Sequence, residues 1–300
     1  MLLVGCVGYN AYGREGLHFR KFAKITDTII RDSKNKLEDF LDPACQARYP
    51  LAHYCKLTSD KPATVAIIGD SHANHFFYGL SKQYGLRGEN LVNLGLPACV
   101  PLVNVNSIGY WHDNKCSLVF SDLFKKVAND RSIHTVILAA QWHNQIIGTH
   151  FYKNSPQKDN ELESPLFPKG TSSSIIFEKQ LQETINYFQE HHKKIILIKQ
   201  IPELDFDPIG CVISKYRRIF SGGRDCVSNA GEVTAYLAQY EIFFDRVASQ
   251  NPEIKVWNPQ PFFCDEGECI ASLNGNSLYD GDYHLSRLGS NLFSEKIFNK

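Results

Sequence analysis

The sequence lacks the features of a membrane-spanning, nucleic-acid-binding or disordered protein. In its 300 residues no uninterrupted apolar run approaches the ~20 residues that a transmembrane helix needs. Its 32 basic residues balance 32 acidic ones, so no global field attracts nucleic acid or an anionic membrane. Hydrophobic residues make up 43% of the chain, which excludes disorder and collagen-like structure. The composition therefore predicts a soluble globular chain of one large or two small domains.

The cysteine spacing lacks the close pairs that structural zinc sites need. There is no C-x-x-C and no paired Cys/His spacing, so we expect neither a metal nor a cofactor. Apart from Cys6, the cysteines fall into four couples that are close in sequence: Cys45/Cys55, Cys99/Cys116, Cys211/Cys226 and Cys264/Cys269. Each couple brackets a loop rich in Pro, Gly or Asp, so pairing between neighbours is the simplest hypothesis. Disulfides would indicate the periplasm or the cell exterior, and free buried cysteines in a cytosolic protein are the alternative.

Short β-branched runs alternate with helix-like stretches from residue 60 onward. The runs predict strands at 64–68, 90–94, 134–138, 194–198 and 254–257. The stretches between and after them predict helices at about 75–84, 118–129, 175–191, 231–249 and 286–297, the last capped by Ser286. Apolar strands that alternate with helices favour a parallel sheet covered on both faces. The expected fold is a doubly wound α/β sheet of about five parallel strands.

The first part of the chain and two insertions depart from this alternation. Residues 1–59 contain a charged helical stretch near 21–40, and we interpret them as an N-terminal arm or linker, the end of a truncated membrane segment, that leads into a domain at 60–300. Insertions at 145–170 and 201–229 carry several Pro and Gly residues. Loops of this length inside a compact domain are usually functional or disordered.

A Gly-Asp-Ser-His sequence follows the first predicted strand of the domain. It places the Ser71 hydroxyl at the start of a helix and at the carboxyl end of a strand, where open α/β sheets bind ligands. The N–H groups at the start of that helix are suited to stabilising an oxyanion. The alternative is that this turn only connects the strand to the helix and caps the helix, without a catalytic role.

Near the other end of the chain, acidic residues closely precede a histidine at the start of the last predicted helix. This segment reads Asp280-Gly281-Asp282-Tyr283-His284. A histidine with a carboxylate nearby supplies a general base and the group that orients it. Combined with Ser71, it indicates nucleophilic catalysis by serine.

The Gly-Asp-Ser-His sequence and the His284-Leu285-Ser286-x-x-Gly289 sequence together resemble the SGNH/GDSL hydrolase superfamily. More narrowly, they resemble the SGNH domain found C-terminal to membrane acyltransferase-3 domains, over about residues 60–300. The resemblance implies a flavodoxin-like fold and O-acetylation of a bacterial surface polysaccharide such as lipopolysaccharide O-antigen. It also implies a membrane acyltransferase-3 domain as partner, fused or separate, and a periplasmic location tethered to the inner membrane. The expected acceptor is a polysaccharide and not nucleic acid.

The resemblance also implies roles for individual residues. Ser71 would be the nucleophile and His284 its base. Oxyanion donors would be the backbone N–H groups of Ser71 and Gly95, together with Asn144 or Trp142 after the third predicted strand, where the usual Gly-x-Asn-Asp is absent.

The acid of the site departs from the family pattern. The family spacing is Asp-x-x-His, but the residue three before His284 is Gly281, with Asp280 one position too early and Asp282 one too late. We favour Asp280 because a flexible glycine follows it, and a Ser–His dyad is the alternative. The same fold and site are compatible with an acyltransferase, with a carbohydrate deacetylase, or with a non-catalytic glycan-binding relic.

The two histidines that follow Ser71 have other readings. The Asp70-x-His72 pair also begins the two-metal site of metallophosphoesterases, but the further blocks of that site are absent. We expect His72 and His75 to line the pocket, with His75 a candidate for substrate contact.

Overall fold

The computed structural model describes residues 41–109, 115–151, 160–217, 225–281 and 283–299, together with the single residues 9, 27 and 30. The cysteine at position 6, the aspartate at position 282 and most of the helix predicted near 21–40 lie outside them. In the segments covered, no helix has both the length and the apolar character needed to cross a membrane.

A six-stranded sheet forms the centre of the domain. In spatial order its strands are β1 (Tyr54–Leu57), β3 (Leu91–Gly95), β2 (Val65–Gly69), β5 (Thr135–Ala139), β7 (Lys194–Ile198) and β9 (Lys255–Trp257). The last five are parallel to one another, and their order is that of a flavodoxin-like doubly wound sheet. The central strands are buried along their whole length, which explains why their sequences are mostly apolar. The predicted fold class is confirmed.

The sheet has one strand more than the sequence predicts, and it comes from the segment interpreted as an arm. Helix α1 (Pro43–Arg48) and strand β1 lie within that segment, and β1 pairs antiparallel with β3 at the edge of the sheet. Asp42 caps α1 by accepting from the N–H groups of Ala44 and Cys45. The four residues of β1, Tyr-Cys-Lys-Leu, show no alternation that marks a strand, so only the pairing reveals it.

The five long helices lie where the alternation predicts them. They are α2 (Ser71–Gly85), α3 (Cys116–Asn129), α5 (Ser173–Glu190), α7 (Ala230–Ser249) and α9 (Arg287–Phe298). Ser286 caps α9 through a hydrogen bond from the Gly289 N–H, as expected. Helix α2 begins four residues earlier than predicted because Asp70 caps it at the end of β2.

Short elements fill the connections. They are α4 (Trp142–Ile146), α6 (Pro208–Arg217), α8 (Gln260–Phe263) and the paired strands β4 (Asn106–Gly109) with β6 (Asn160–Glu163), β8 (Val227–Asn229) with β10 (Glu268–Ile270), and β11 (Ser272–Leu273) with β12 (Asn276–Ser277). Within the described residues, the two insertions contain the end of α4 and the elements β6, α6 and β8.

All four cysteine couples form disulfides between sequence neighbours. The bridges join Cys45 to Cys55, Cys99 to Cys116, Cys211 to Cys226 and Cys264 to Cys269. The predicted pairing is confirmed. The first bridge ties α1 to the edge strand β1.

Candidate active site

The strand-to-helix turn at Ser71 is built by the two residues before it. A Cβ atom on Gly69 would lie 1.8 Å from the carbonyl oxygen of Ala139, so only glycine fits at the end of β2. Asp70 then begins α2, with its Oδ1 accepting from the His72 N–H at 2.7 Å. Ser71 becomes the first residue of the helix, at the carboxyl edge of the sheet.

Asp70 also joins two strands of the sheet. Its Oδ2 accepts from the Gln141 N–H at 2.9 Å, which ties the turn after β5 to the start of α2. Burial raises the pKa of Asp70 to about 7, although several backbone N–H groups that donate to the carboxylate oppose the shift. Asp70 therefore fixes the position of Ser71 relative to the residues that follow β5.

Ser71 and His284 meet although 213 positions separate them. The Oγ atom of Ser71 lies 2.7 Å from Nε2 of His284. The loop that carries His284 is closed by a hydrogen bond from the Asp280 N–H to the His284 carbonyl, at 2.8 Å. It is also held against α2, because the Leu285 N–H donates to Nδ1 of His75 at 3.3 Å. His75 thus holds the loop through Nδ1, and its contact with substrate stays a prediction.

His284 is partly buried and uncharged. Burial lowers its pKa to about 4, while the Glu203 carboxylate raises it and His150 lowers it further. Its ring is therefore neutral at neutral pH, which is the state that accepts the Ser71 proton.

We expect the acid limb of the pH profile to lie near pH 4. The neutral imidazole is the active form, so kcat/KM for a p-nitrophenyl ester should stay high as the pH falls through 6.5 and drop only near the His284 pKa of about 4. The measurement is the pH dependence of kcat/KM, with circular dichroism at each pH to check folding. A limb near 6.5 that persists in Asp70→Asn would contradict the prediction. A step near pH 7 that this variant removes belongs to Asp70, whose pKa is about 7.

The acid that serves His284 stays a prediction. Asp280 contacts His284 through the backbone, and Asp282 lies outside the described residues. Gly281 has a φ of +76°, a conformation that favours glycine over residues with a side chain. The backbone of this loop therefore favours a glycine at the position where the family spacing has its aspartate.

Gly95 lies at the end of β3, opposite Gly69 in the register of the sheet. A Cβ atom on Gly95 would lie 2.0 Å from the Gly69 carbonyl oxygen. This close approach requires glycine and places the Gly95 backbone beside the strand that leads to Ser71. This position is compatible with the prediction that the Gly95 N–H donates a hydrogen bond to the oxyanion.

Trp142 and Asn144 follow β5 but differ in surroundings. Trp142 is fully buried, and its Nε1–H donates to the Ile198 carbonyl at 2.8 Å. Its one donor is thus used within the core, and the assignment of Trp142 to the oxyanion site is corrected. The Asn144 amide nitrogen instead lies 2.9 Å from Nε2 of His150.

A histidine cluster surrounds the Ser71–His284 pair. The ring centroid of His72 lies 4.8 Å from that of His75 and 5.2 Å from that of His284. Burial holds the pKa of both His72 and His75 well below 6.5, with nearby histidines adding to the shift, so both rings are neutral. Within the described segments no three potential ligands are arranged to hold a metal ion.

Sequence reasoning missed Glu203 and His150. Glu203 is buried and follows the end of β7 by five residues, and His150 follows α4. Their positions in the sequence could have indicated them, because polar side chains that follow a parallel strand gather at the carboxyl edge of the sheet. Both residues lie in the first halves of long insertions, so this indication was not recognised.

The comparisons with known proteins agree with this fold. The family profile "SGNH domain (fused to AT3 domains)" matches residues 41–298. Among solved structures, the periplasmic domain of a lipopolysaccharide acetyltransferase of Salmonella ser. Paratyphi A is similar, with a TM-score of 0.60 and 16% identity over 93% of this chain and 94% of that one.

A GDSL-like lipase of Bacteroides thetaiotaomicron is more distant, with a TM-score of 0.41 and 13% identity over 78% of this chain and 85% of the other. An acetyl xylan esterase has a TM-score of 0.42 and 14% identity over 78% and 98% of the two chains. No curated protein matches in sequence. The chain belongs to the SGNH domains that are fused to acyltransferase-3 domains, and it is an SGNH-type acyltransferase or esterase.

Proposed function

We propose that this domain transfers an acetyl group, through an acyl-serine intermediate, to a hydroxyl of a bacterial surface polysaccharide of the O-antigen type. The observation that carries the proposal is the 2.7 Å contact between the Ser71 hydroxyl and Nε2 of a neutral His284. A serine hydroxyl needs such a base to become a nucleophile at neutral pH.

The chemistry proceeds in two balanced steps. In the first, Ser71 Oγ bonds to the carbonyl carbon of the donor and its proton moves to His284 Nε2, which passes it to the leaving group. In the second, the acceptor hydroxyl attacks the acyl-serine, His284 takes the hydroxyl proton, and the Ser71 oxygen leaves and recovers it. In both steps the N–H groups of Ser71 and Gly95 and the amide of Asn144 are our proposed donors to the oxyanion.

The family and the disulfides support the proposed partner and location. The family is described as fused to acyltransferase-3 domains, which supports a membrane acyltransferase-3 domain as the source of acetyl groups. Four disulfides are typical of proteins outside the cytoplasm, which supports a periplasmic domain tethered to the inner membrane. The similar Salmonella domain comes from a lipopolysaccharide acetyltransferase, which supports a polysaccharide acceptor.

Transfer to a sugar can be measured without the membrane partner. We expect the purified chain, given p-nitrophenyl acetate and O-antigen oligosaccharide, to produce O-acetylated sugar that mass spectrometry detects, and Ser71→Ala to produce none. Release of acetate without acetylated sugar would identify a carbohydrate esterase instead. Equal background in both proteins would contradict an acyl-serine mechanism and leave a glycan-binding relic.

A further inference from the structure

Glu203 is a carboxylate buried beside the candidate active site, and the mechanism above does not use it. Its side chain is 2% exposed. Its oxygens accept hydrogen bonds from Gln141 Nε2 at 3.0 Å, Gln200 Nε2 at 2.8 Å, the Phe151 N–H at 3.1 Å and the Tyr236 hydroxyl at 3.2 Å. Hydrogen-bond donors from three connections and one helix thus converge on a single buried charge.

The Glu203 carboxylate is ionised despite its burial. Burial alone would raise its pKa, but hydrogen bonds and the proximity of His150 outweigh burial, so the pKa lies below the usual value. A buried ionised carboxylate is costly unless every lone pair is used, and replacement by apolar residues is often neutral or stabilising. A charge in this position therefore points to a task other than stability.

His150 connects Glu203 to Asn144. Its Nδ1 lies 3.8 Å from Glu203 Oε2, and its Nε2 lies 2.9 Å from the amide nitrogen of Asn144. A neutral imidazole carries one N–H, so the position of that proton decides what the other nitrogen can do. The negative charge of Glu203 favours the proton on Nδ1, which leaves Nε2 as an acceptor for the Asn144 amide.

Gln141 provides the competing arrangement. Its Nε2 lies 3.2 Å from His150 Nδ1, and a hydrogen bond there would move the imidazole proton to Nε2. Asn144 would then have to turn its carbonyl oxygen towards His150. Gln141 Nε2 already donates to Glu203, at 3.0 Å, so the carboxylate competes for the same donor.

These residues reach the Ser71–His284 pair through a stack of rings. The centroid of His150 lies 4.9 Å from that of Tyr283, with the planes at 27°, and the Tyr283 centroid lies 4.8 Å from that of His284. The Glu203 carboxylate also opposes the lowering of the His284 pKa that burial causes. Asn144 is therefore linked to the catalytic pair through its contact with His150 and through the ring of Tyr283.

We propose that Glu203 is a positioning residue that holds His150 in its Nδ1–H tautomer and thereby fixes the Asn144 amide with its nitrogen as the donor group. In the Nε2–H tautomer the Asn144 carbonyl oxygen would take the place of the amide nitrogen. This oxygen is an acceptor, and an acceptor does not stabilise an oxyanion. This rests on the proposed function in so far as Asn144 serves the oxyanion. The tautomer itself does not depend on any activity.

The tautomer is measured by nitrogen NMR of the full chain with ¹⁵N-labelled histidine. We expect His150 to be protonated on Nδ1 in the wild type and to change to Nε2–H, or to a mixture, in Glu203→Gln. The His150 signals are assigned by their loss in His150→Gln. An Nε2–H tautomer or a doubly protonated ring in the wild type, or no change in Glu203→Gln, would overturn the proposal even if the enzyme turns over esters.

The link to the oxyanion is measured by a double-mutant cycle on p-nitrophenyl acetate turnover. We expect Asn144→Ala and Glu203→Gln each to lower kcat by about 10-fold or more with KM unchanged, since a donor that acts only in the transition state is lost. The double variant should be no slower than Asn144→Ala. A double variant that loses the product of both effects would show that Glu203 acts elsewhere, and would overturn the proposal.

Folding is controlled in both measurements. The melting temperature of each variant is recorded, and if Glu203→Gln does not fold, His150→Gln replaces it in the cycle, because that side chain is 14% exposed. Failure of the proposed function would appear differently, as a wild-type rate equal to that of Ser71→Ala with the tautomer result intact.

Discussion

Replacement of Ser71 by alanine is expected to reduce p-nitrophenyl acetate turnover by about 10³-fold or more. The hydroxyl contacts the base, at 2.7 Å from His284 Nε2, and the proposed acyl-serine cannot form without it. His284→Ala is expected to cost about as much, and the double variant no more than either, because the two residues act as one unit. The measurement is kcat/KM on purified proteins of equal melting temperature.

A matched control lies on the same helix. Ser81 is also a serine of α2, and its Oγ donates to the Tyr78 carbonyl at 2.9 Å. Ser81→Ala is therefore expected to keep the wild-type rate. If Ser71→Ala retained more than a tenth of the wild-type kcat/KM, the nucleophile would have to be sought elsewhere.

The second large effect is expected at Gly79, where α2 and α9 touch. A Cβ atom there would lie 2.1 Å from the Ser290 carbonyl oxygen and 2.4 Å from Ser294 Oγ. The clash is mainly with backbone, so Gly79→Ala must push the two helices apart. We expect about 3 kcal/mol of lost unfolding free energy. For a domain of this size the melting temperature should fall by roughly 6–12 °C.

Gly85 provides the comparison, because it ends the same helix without a close neighbour. The nearest atom to its added Cβ would be Thr58 Cγ2, at 3.9 Å. Gly85→Ala is expected to be neutral or stabilising by up to about 1 kcal/mol, since alanine is the better helix former. Equal melting temperatures for Gly79→Ala and Gly85→Ala would contradict the prediction, because they would show that α2 and α9 can separate without a loss of unfolding free energy.

Local patterns predicted the parallel strands and the long helices well. Apolar runs and cap residues act over a few positions, so the strand at 194–198 and the Ser286 cap were predicted at their observed places. The edge strand β1 was missed because its four residues carry no pattern, and it exists only by pairing with β3. Long-range pairing of that kind leaves no local trace.

The residues of the site also differ in how well the sequence predicts them. Ser71 and His284 were predicted from short motifs, and the structure brings them into contact. Glu203 was missed because its importance depends on burial and on donors that come from distant segments. Trp142 was misjudged because a sequence does not show that its N–H donates to the Ile198 carbonyl.

The order of the disulfides has a consequence for how the chain matures. The paired cysteines are 10, 17, 15 and 5 positions apart, and each bridge is complete before the next couple begins. Partners this close meet often even in an unfolded chain, because short loops cost little entropy to close. An oxidase that meets the chain as it emerges from a translocation channel would therefore find each cysteine with its correct partner nearby. We expect oxidation during export to need little proofreading by a disulfide isomerase.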